Sequence, residues 1–94
     1  MKLHFDVTKE SVEKVMPDIT VGERAMLFED EFSVISARAF LARFLCRADQ
    51  TPVPYRSALR EINTLNRAEF DEALEYVAGR TTDIFCPPDN ASSS

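Results

Sequence analysis

The sequence predicts an all-α fold, a compact bundle of four to five short helices around a central apolar helix, and three observations carry that reading. The stretch Ser33–Asp49, SVISARAFLARFLCRAD, is apolar around most of its circumference, rich in helix formers and free of Pro and Gly. Two stretches, Thr20-Val21-Gly22-Glu23 and Asn66-Arg67-Ala68-Glu69, have the spacing of a capping box at a helix start. Beyond the apolar stretch, Tyr55, Ala58, Leu59, Ile62 and Leu65 recur at steps of three and four, as one face of an amphipathic helix does.

Taken in order, Leu3-His4-Phe5 alternates apolar and polar and reads as a short extended arm. Asp6 or Thr8 then caps a helix running to about Met16, with Val12, Val15 and Met16 on one side. Lys9–Glu13 and Glu10–Lys14 place opposite charges four apart on its outer face, each pair contributing about 0.2–0.5 kcal/mol. Pro17 stops this helix, because the residue before a proline is pushed out of helical geometry. The next helix starts at the Thr20–Glu23 box and runs through Ala25, Met26, Leu27 and Phe28 to the acids Glu29-Asp30-Glu31. A break there is expected, because Ser33 caps the following helix and acids suit its positive end.

The helix Ser33–Asp49 belongs inside the domain, and its few polar positions, Ser36, Arg43 and Arg47 with Arg38 to one side, form its one wet stripe. Pro52 and Pro54 make a stiff connection into a helix from Tyr55 to about Leu65. The final helix begins at the Asn66–Glu69 box, with Leu65 and Phe70 spaced as a hydrophobic staple. It turns Phe70, Ala73, Leu74, Val77 and Ala78 inward and Glu69, Asp71, Glu72 and Glu75 outward. Gly79 is expected to end it as a left-handed C-cap. Arg80-Thr81-Thr82-Asp83 then reads as a linker and Ile84-Phe85-Cys86 as a short apolar patch. Residues 1–88 form a single helical domain, and residues 89–94 are a disordered tail too polar to offset its ordering entropy.

Ninety-four residues suffice for one modest core. The formal net charge of -5 repels nucleic acid and anionic membranes at long range, so neither is an expected partner, and it favours solubility. Arg38, Arg43 and Arg47 interrupt the most apolar stretch, so no membrane span is expected. MKLHFDVTKE turns charged too early for a signal peptide, which places the chain in the cytoplasm. Cys46 reads as a buried apolar residue and Cys86 as a tail thiol.

Chemistry-bearing patterns are sparse. His4 is the one histidine, with no metal-ligand spacing around it, and the cysteines have no activating histidine. Gly22 and Gly79 make no phosphate-cradling loop, and Glu29-Asp30-Glu31 lacks the alternating ligands of a calcium loop. The chain is therefore expected to be non-catalytic, without metal or cofactor. Arg38, Arg43 and Arg47 either pair with Glu69, Glu72 or Glu75 or grip an acidic or phosphate-bearing partner. Ile84 and Phe85 either fold back on the core or enter a partner's groove.

The succession of ITVGERAMLFED, the helix ARAFLARFL, the proline-containing TPVPYRSALREINTLNRAEFDEALEYV and a tail with paired prolines resembles the small tail assembly chaperones of long-tailed bacteriophages, over roughly Ile19 to Pro88. That resemblance implies a largely helical, non-catalytic protein of the host cytoplasm that binds the tape-measure protein and recruits tail-tube subunits. It also implies a longer frameshifted product in many members. Phe28, Phe32, Ile84 and Phe85 are the expected partner-binding residues, and a homo-oligomer is compatible with their apolar surface. The alternative is an acidic protein-binding inhibitor or nucleic-acid mimic of the anti-defence type.

Overall fold

A computed structural model describes residues 3–29 and 31–85, so the expectations for Cys86 and for the tail 89–94 lie outside the described residues. The chain is mostly helical. In order come β1 (His4–Phe5), α1 (Lys9–Val15), a 3-10 turn (Met16–Asp18), α2 (Val21–Phe28), α3 (Val34–Phe44), β2 (Leu45–Cys46), α4 (Tyr55–Ile62) and α5 (Arg67–Phe85). The all-α expectation is thus corrected by a small antiparallel sheet, β1–β2, with His4 opposite Cys46 and Phe5 opposite Leu45.

The helix starts follow their local chemistry. Thr8, not Asp6, caps α1: its hydroxyl accepts from the Ser11 N–H at 3.2 Å, while the Ser11 hydroxyl accepts from the Thr8 N–H at 2.7 Å. Thr20 and Glu23 close the box at α2, and Asn66 and Glu69 do the same at α5, at 2.8 and 3.0 Å. Ser33 caps α3 after a break that follows Phe28. Met16 keeps helical angles even though Pro17 follows it, and the chain tightens there into the 3-10 turn. The Lys9–Glu13 and Glu10–Lys14 pairs do not close; the ion pairs among the described residues are Glu23–Arg43 and Arg67–Asp71.

Two helix ends differ from expectation. The apolar helix stops at Phe44 and not at Asp49, and Cys46 lies in a strand. Leu45 and Cys46 exchange helical bonds for a ladder: the Asp6 N–H donates to the Phe44 carbonyl at 2.9 Å on one side, and the Val53 N–H to the Leu45 carbonyl at 3.3 Å on the other. A tight turn over Arg47–Thr51 makes this reversal, with Gln50 at φ 70° and the Asp49 carboxylate accepting from the Thr51 N–H at 3.0 Å. Those bonds to Thr51 hold the Asp49 pKa below its ordinary value.

The last helix runs past Gly79 to Phe85, so Arg80–Asp83 is helix and not linker. Gly79 has no positive φ. The extra turns are held by burial: Thr81 is fully buried and donates to the Val77 carbonyl at 2.8 Å, and Arg80 reaches the Val7 carbonyl at 3.2 Å.

Packing joins α3 to α2, α4 and α5, and α1 to α5. Phe40 and Leu41 are fully enclosed with Val12, Ala58, Ile62, Ala73 and Val77, and the Phe40 and Phe44 rings meet edge-on at 5.2 Å. The stripe expected to be wet is partly covered: Ser36, Arg38 and Arg43 are half-buried, while Arg47, beyond the end of α3, is exposed. A Cβ on Gly22 would stand 2.5 Å from the Ser36 hydroxyl, so α2 sits against α3 at that point. One helical step on, the fully buried Glu23 takes Arg43 in a two-point ion pair, Nε to Oε2 at 2.8 Å and Nη2 to Oε1 at 3.1 Å. Arg43 also lies 5.8 Å from the Tyr55 ring centre, and its bonds to Glu23 raise its pKa. The wet end of α3 is apolar: Val34 and Ile35, in its first turn, are 61% and 74% exposed.

Two stability measurements check this description. Arg43→Met leaves a carboxylate buried without its cation and is expected to cost about 3–5 kcal/mol in urea unfolding, whereas Glu23→Gln keeps the cap and an acceptor and costs about 1–3 kcal/mol. A loss below about 1 kcal/mol for Arg43→Met would contradict the pairing. Gly79→Ala places a methyl where no atom lies within 4 Å and should stabilise the helix interior by about 0.5–1 kcal/mol, raising Tm by roughly 2–8 °C. A fall in Tm would instead restore the left-handed cap.

Candidate protein-docking surface

Three of the four expected partner-binding residues are substantially exposed. Phe28 ends α2 and is 38% exposed, Phe32 lies in the α2–α3 connection at 58%, and Phe85 ends α5 at 47%. Phe28 and Phe85 come from opposite ends of the sequence, yet their rings meet at 6.0 Å in a tilted pair. Ile84 differs, being half-buried and packed against the core. Helical phase explains the split, since consecutive residues on α5 point about 100° apart.

Phe32 stands between two open hollows on the side of α5. One, of 370 Å³, is lined by Val34, Ile62, Leu65 and Phe70 with Arg38 and Arg67 at its edge. The other, of 260 Å³, is lined by Met26, Leu74 and Ala78 with Asp71 and Glu75. Phe32 and Asp71 border both. Phe70, Leu74 and Ala78, spaced four apart on α5, supply much of the floor; the sequence assigned them wholly to the core, whereas each is half-buried. The spacing held no signal for this, because i, i+3, i+4, i+7 and i+8 is the ordinary pattern of one core-facing stripe.

The arginines expected to act as a set are separated. Arg43 is taken by Glu23, not by Glu69, Glu72 or Glu75. Arg38 donates from Nη1 to the Asn63 side-chain carbonyl at 3.1 Å, and its buried Nε–H has no acceptor among the described residues. Arg47 borders a different cavity, of 440 Å³, beside β1 with His4, Tyr76 and Arg80. The Glu75 and Glu72 carboxylates remain on the exposed face of α5, and Asp71 pairs with Arg67 at 3.4 Å.

Other candidate chemistry stays dispersed. Among the described residues, no three His, Cys, Asp or Glu side chains gather as a metal site, and no helix is long and apolar enough to cross a membrane. Burial pushes the Cys46 pKa up from that of an ordinary thiol.

Comparison with known proteins finds no matching family model, no matching curated protein and no matching solved structure.

The geometry separates docking from folding. Phe32→Ala should change stability by no more than about 0.5 kcal/mol, while Ile84→Ala should cost about 1–3 kcal/mol by chemical denaturation. Equal losses at both positions would place Phe32 in the core.

Proposed function

We propose that this chain is a non-catalytic tail assembly chaperone, binding the tape-measure protein and tail-tube subunits in the host cytoplasm during tail morphogenesis. In this reading the helices form a bundle arranged around α3, and Phe28, Phe32 and Phe85 make the partner-binding edge, with Ile84 packed on the core beside them. One observation carries it: Phe32, 58% exposed, lines two adjoining apolar hollows along α5, and a second exposed aromatic pair, Phe28 with Phe85, meets at 6.0 Å. Contiguous exposed apolar surface is retained where a partner covers it. A groove floored at four-residue spacing suits the apolar stripe of a helix. The resemblance of residues 19–88 to tail assembly chaperones supplies the biological setting.

A second reading, an acidic inhibitor imitating nucleic acid, draws on exposed Asp71, Glu72 and Glu75 along α5. Leu74 and Ala78 flank these acids on one side, where they line an apolar hollow that a phosphate-like array does not need.

The test is affinity purification of the N-terminally tagged chain from cells producing phage, beside its Phe32→Ala/Phe85→Ala variant, with mass spectrometry of what is retained. A very long helical protein with tail-tube subunits is expected, and at least about tenfold less of both with the variant, as truncating two interface aromatics predicts. Recovery of a nuclease or DNA-binding complex, lost steeply as salt rises, would instead establish the acidic mimic. Recovery of the chain alone would overturn both.

A further inference from the structure

The charges around the two hollows are unequal, and from them we infer the chemistry of the occupant: an amphipathic helix whose apolar stripe is flanked by lysine or arginine over the Leu74 hollow. This rests on the docking surface proposed above and adds the partner's charge pattern and length. Among the described residues, the Leu74 hollow is bordered by Glu75, which makes no ion pair, by Asp71, which Arg67 pairs from the far side, and by no basic residue. Glu29 and Glu31 are exposed in the connection that carries Phe32. At the Phe70 hollow, Arg67 pairs with Asp71 at 3.4 Å and Arg38 adds a second cation, so that end is net positive.

Basic residues beside the apolar stripe would therefore gain over the Leu74 end, and acidic residues there would meet like charge. Size follows from the same geometry. The α5 residues that line the two hollows run from Arg67 to Ala78, about 16 Å at the helical rise, so an occupant lying along them needs about three turns. Phe32 rises between the hollows and divides them, so the occupant presents two apolar anchors, one to either side of its ring. The net charge of -5 favours the same sign of partner at long range.

The experiment uses the full chain and two helical peptides of about 16 residues. Both carry leucine at i, i+4, i+7 and i+11; one is flanked by lysine and its twin by glutamate. Fluorescence anisotropy at low salt is expected to show the lysine peptide bound at least about tenfold more tightly. Glu75→Lys, at an exposed position with no ion pair, should remove most of that preference, and Phe32→Ala should weaken the lysine peptide by about tenfold or more. Equal binding of both peptides that is still lost in Phe32→Ala would overturn the basic occupant and leave the docking surface standing. Binding indifferent to Phe32→Ala, or no binding of either peptide, would overturn the surface itself. Self-association abolished by Phe32→Ala in sedimentation would make a second copy the occupant and overturn this inference.

Discussion

A carboxylate sealed from water governs how the first half of the molecule is assembled. Glu23 accepts from the Thr20 N–H and hydroxyl at the start of α2 and from both faces of the Arg43 fork near the end of α3. A charge buried to this degree persists only when its oxygens are filled, so the local cap and the long-range ion pair depend on each other. Arg43 extends the arrangement by lying against Tyr55, the first residue of α4. Three elements thus meet at one side chain. The backbone at Gly22 completes the fit, because α2 approaches Ser36 more closely than any side chain at position 22 would allow without displacing that hydroxyl.

That joint has consequences downstream. Arg43 must point at α2 from the last turn of α3, and one residue later the helix ends. Leu45 and Cys46 stay buried after the change of direction, as they would have been in a longer helix, so the apolar driving force is retained. What changes is the partner of their backbone groups, now the amino-terminal arm on one side and the Pro52–Val53 segment on the other. The arm is therefore structural: it closes the ladder, and its Val7 carbonyl receives Arg80 from the far end of the sequence.

With α2 held against α3, the connection between them passes beside α5, and Phe32 is carried between the two hollows. The aromatic residues left there are those whose positions the joint determines but whose burial it does not complete. Phe28 and Phe85 partly shield one another, which reduces the exposed apolar area without removing it. A chain of this size has too little interior to enclose every large side chain, and Phe28, Phe32 and Phe85 stay exposed along with Val21 and Ile35.

Local chemistry was legible in the sequence wherever donor and acceptor lie within one turn. The caps at Thr20, Ser33 and Asn66, the break after Phe28, and the inward faces of α1 and α4 are each set by interactions three or four residues apart. Phe28 and Phe32 read there as partner-facing side chains, whereas for Phe85 the sequence leaves open whether it folds back on the core. Tertiary structure decided the rest. The end of α3 at Phe44, the helical state of Gly79, the meeting of Phe28 with Phe85 and the choice of Glu23 as partner for Arg43 involve groups far apart in the chain. Helix propensity differs by only about 1 kcal/mol per residue between glycine and alanine, so burying Thr81 and its neighbours outweighs the stop signal at Gly79. Sequence alone determined where helices begin; long-range burial determined where they end and which charges they hold.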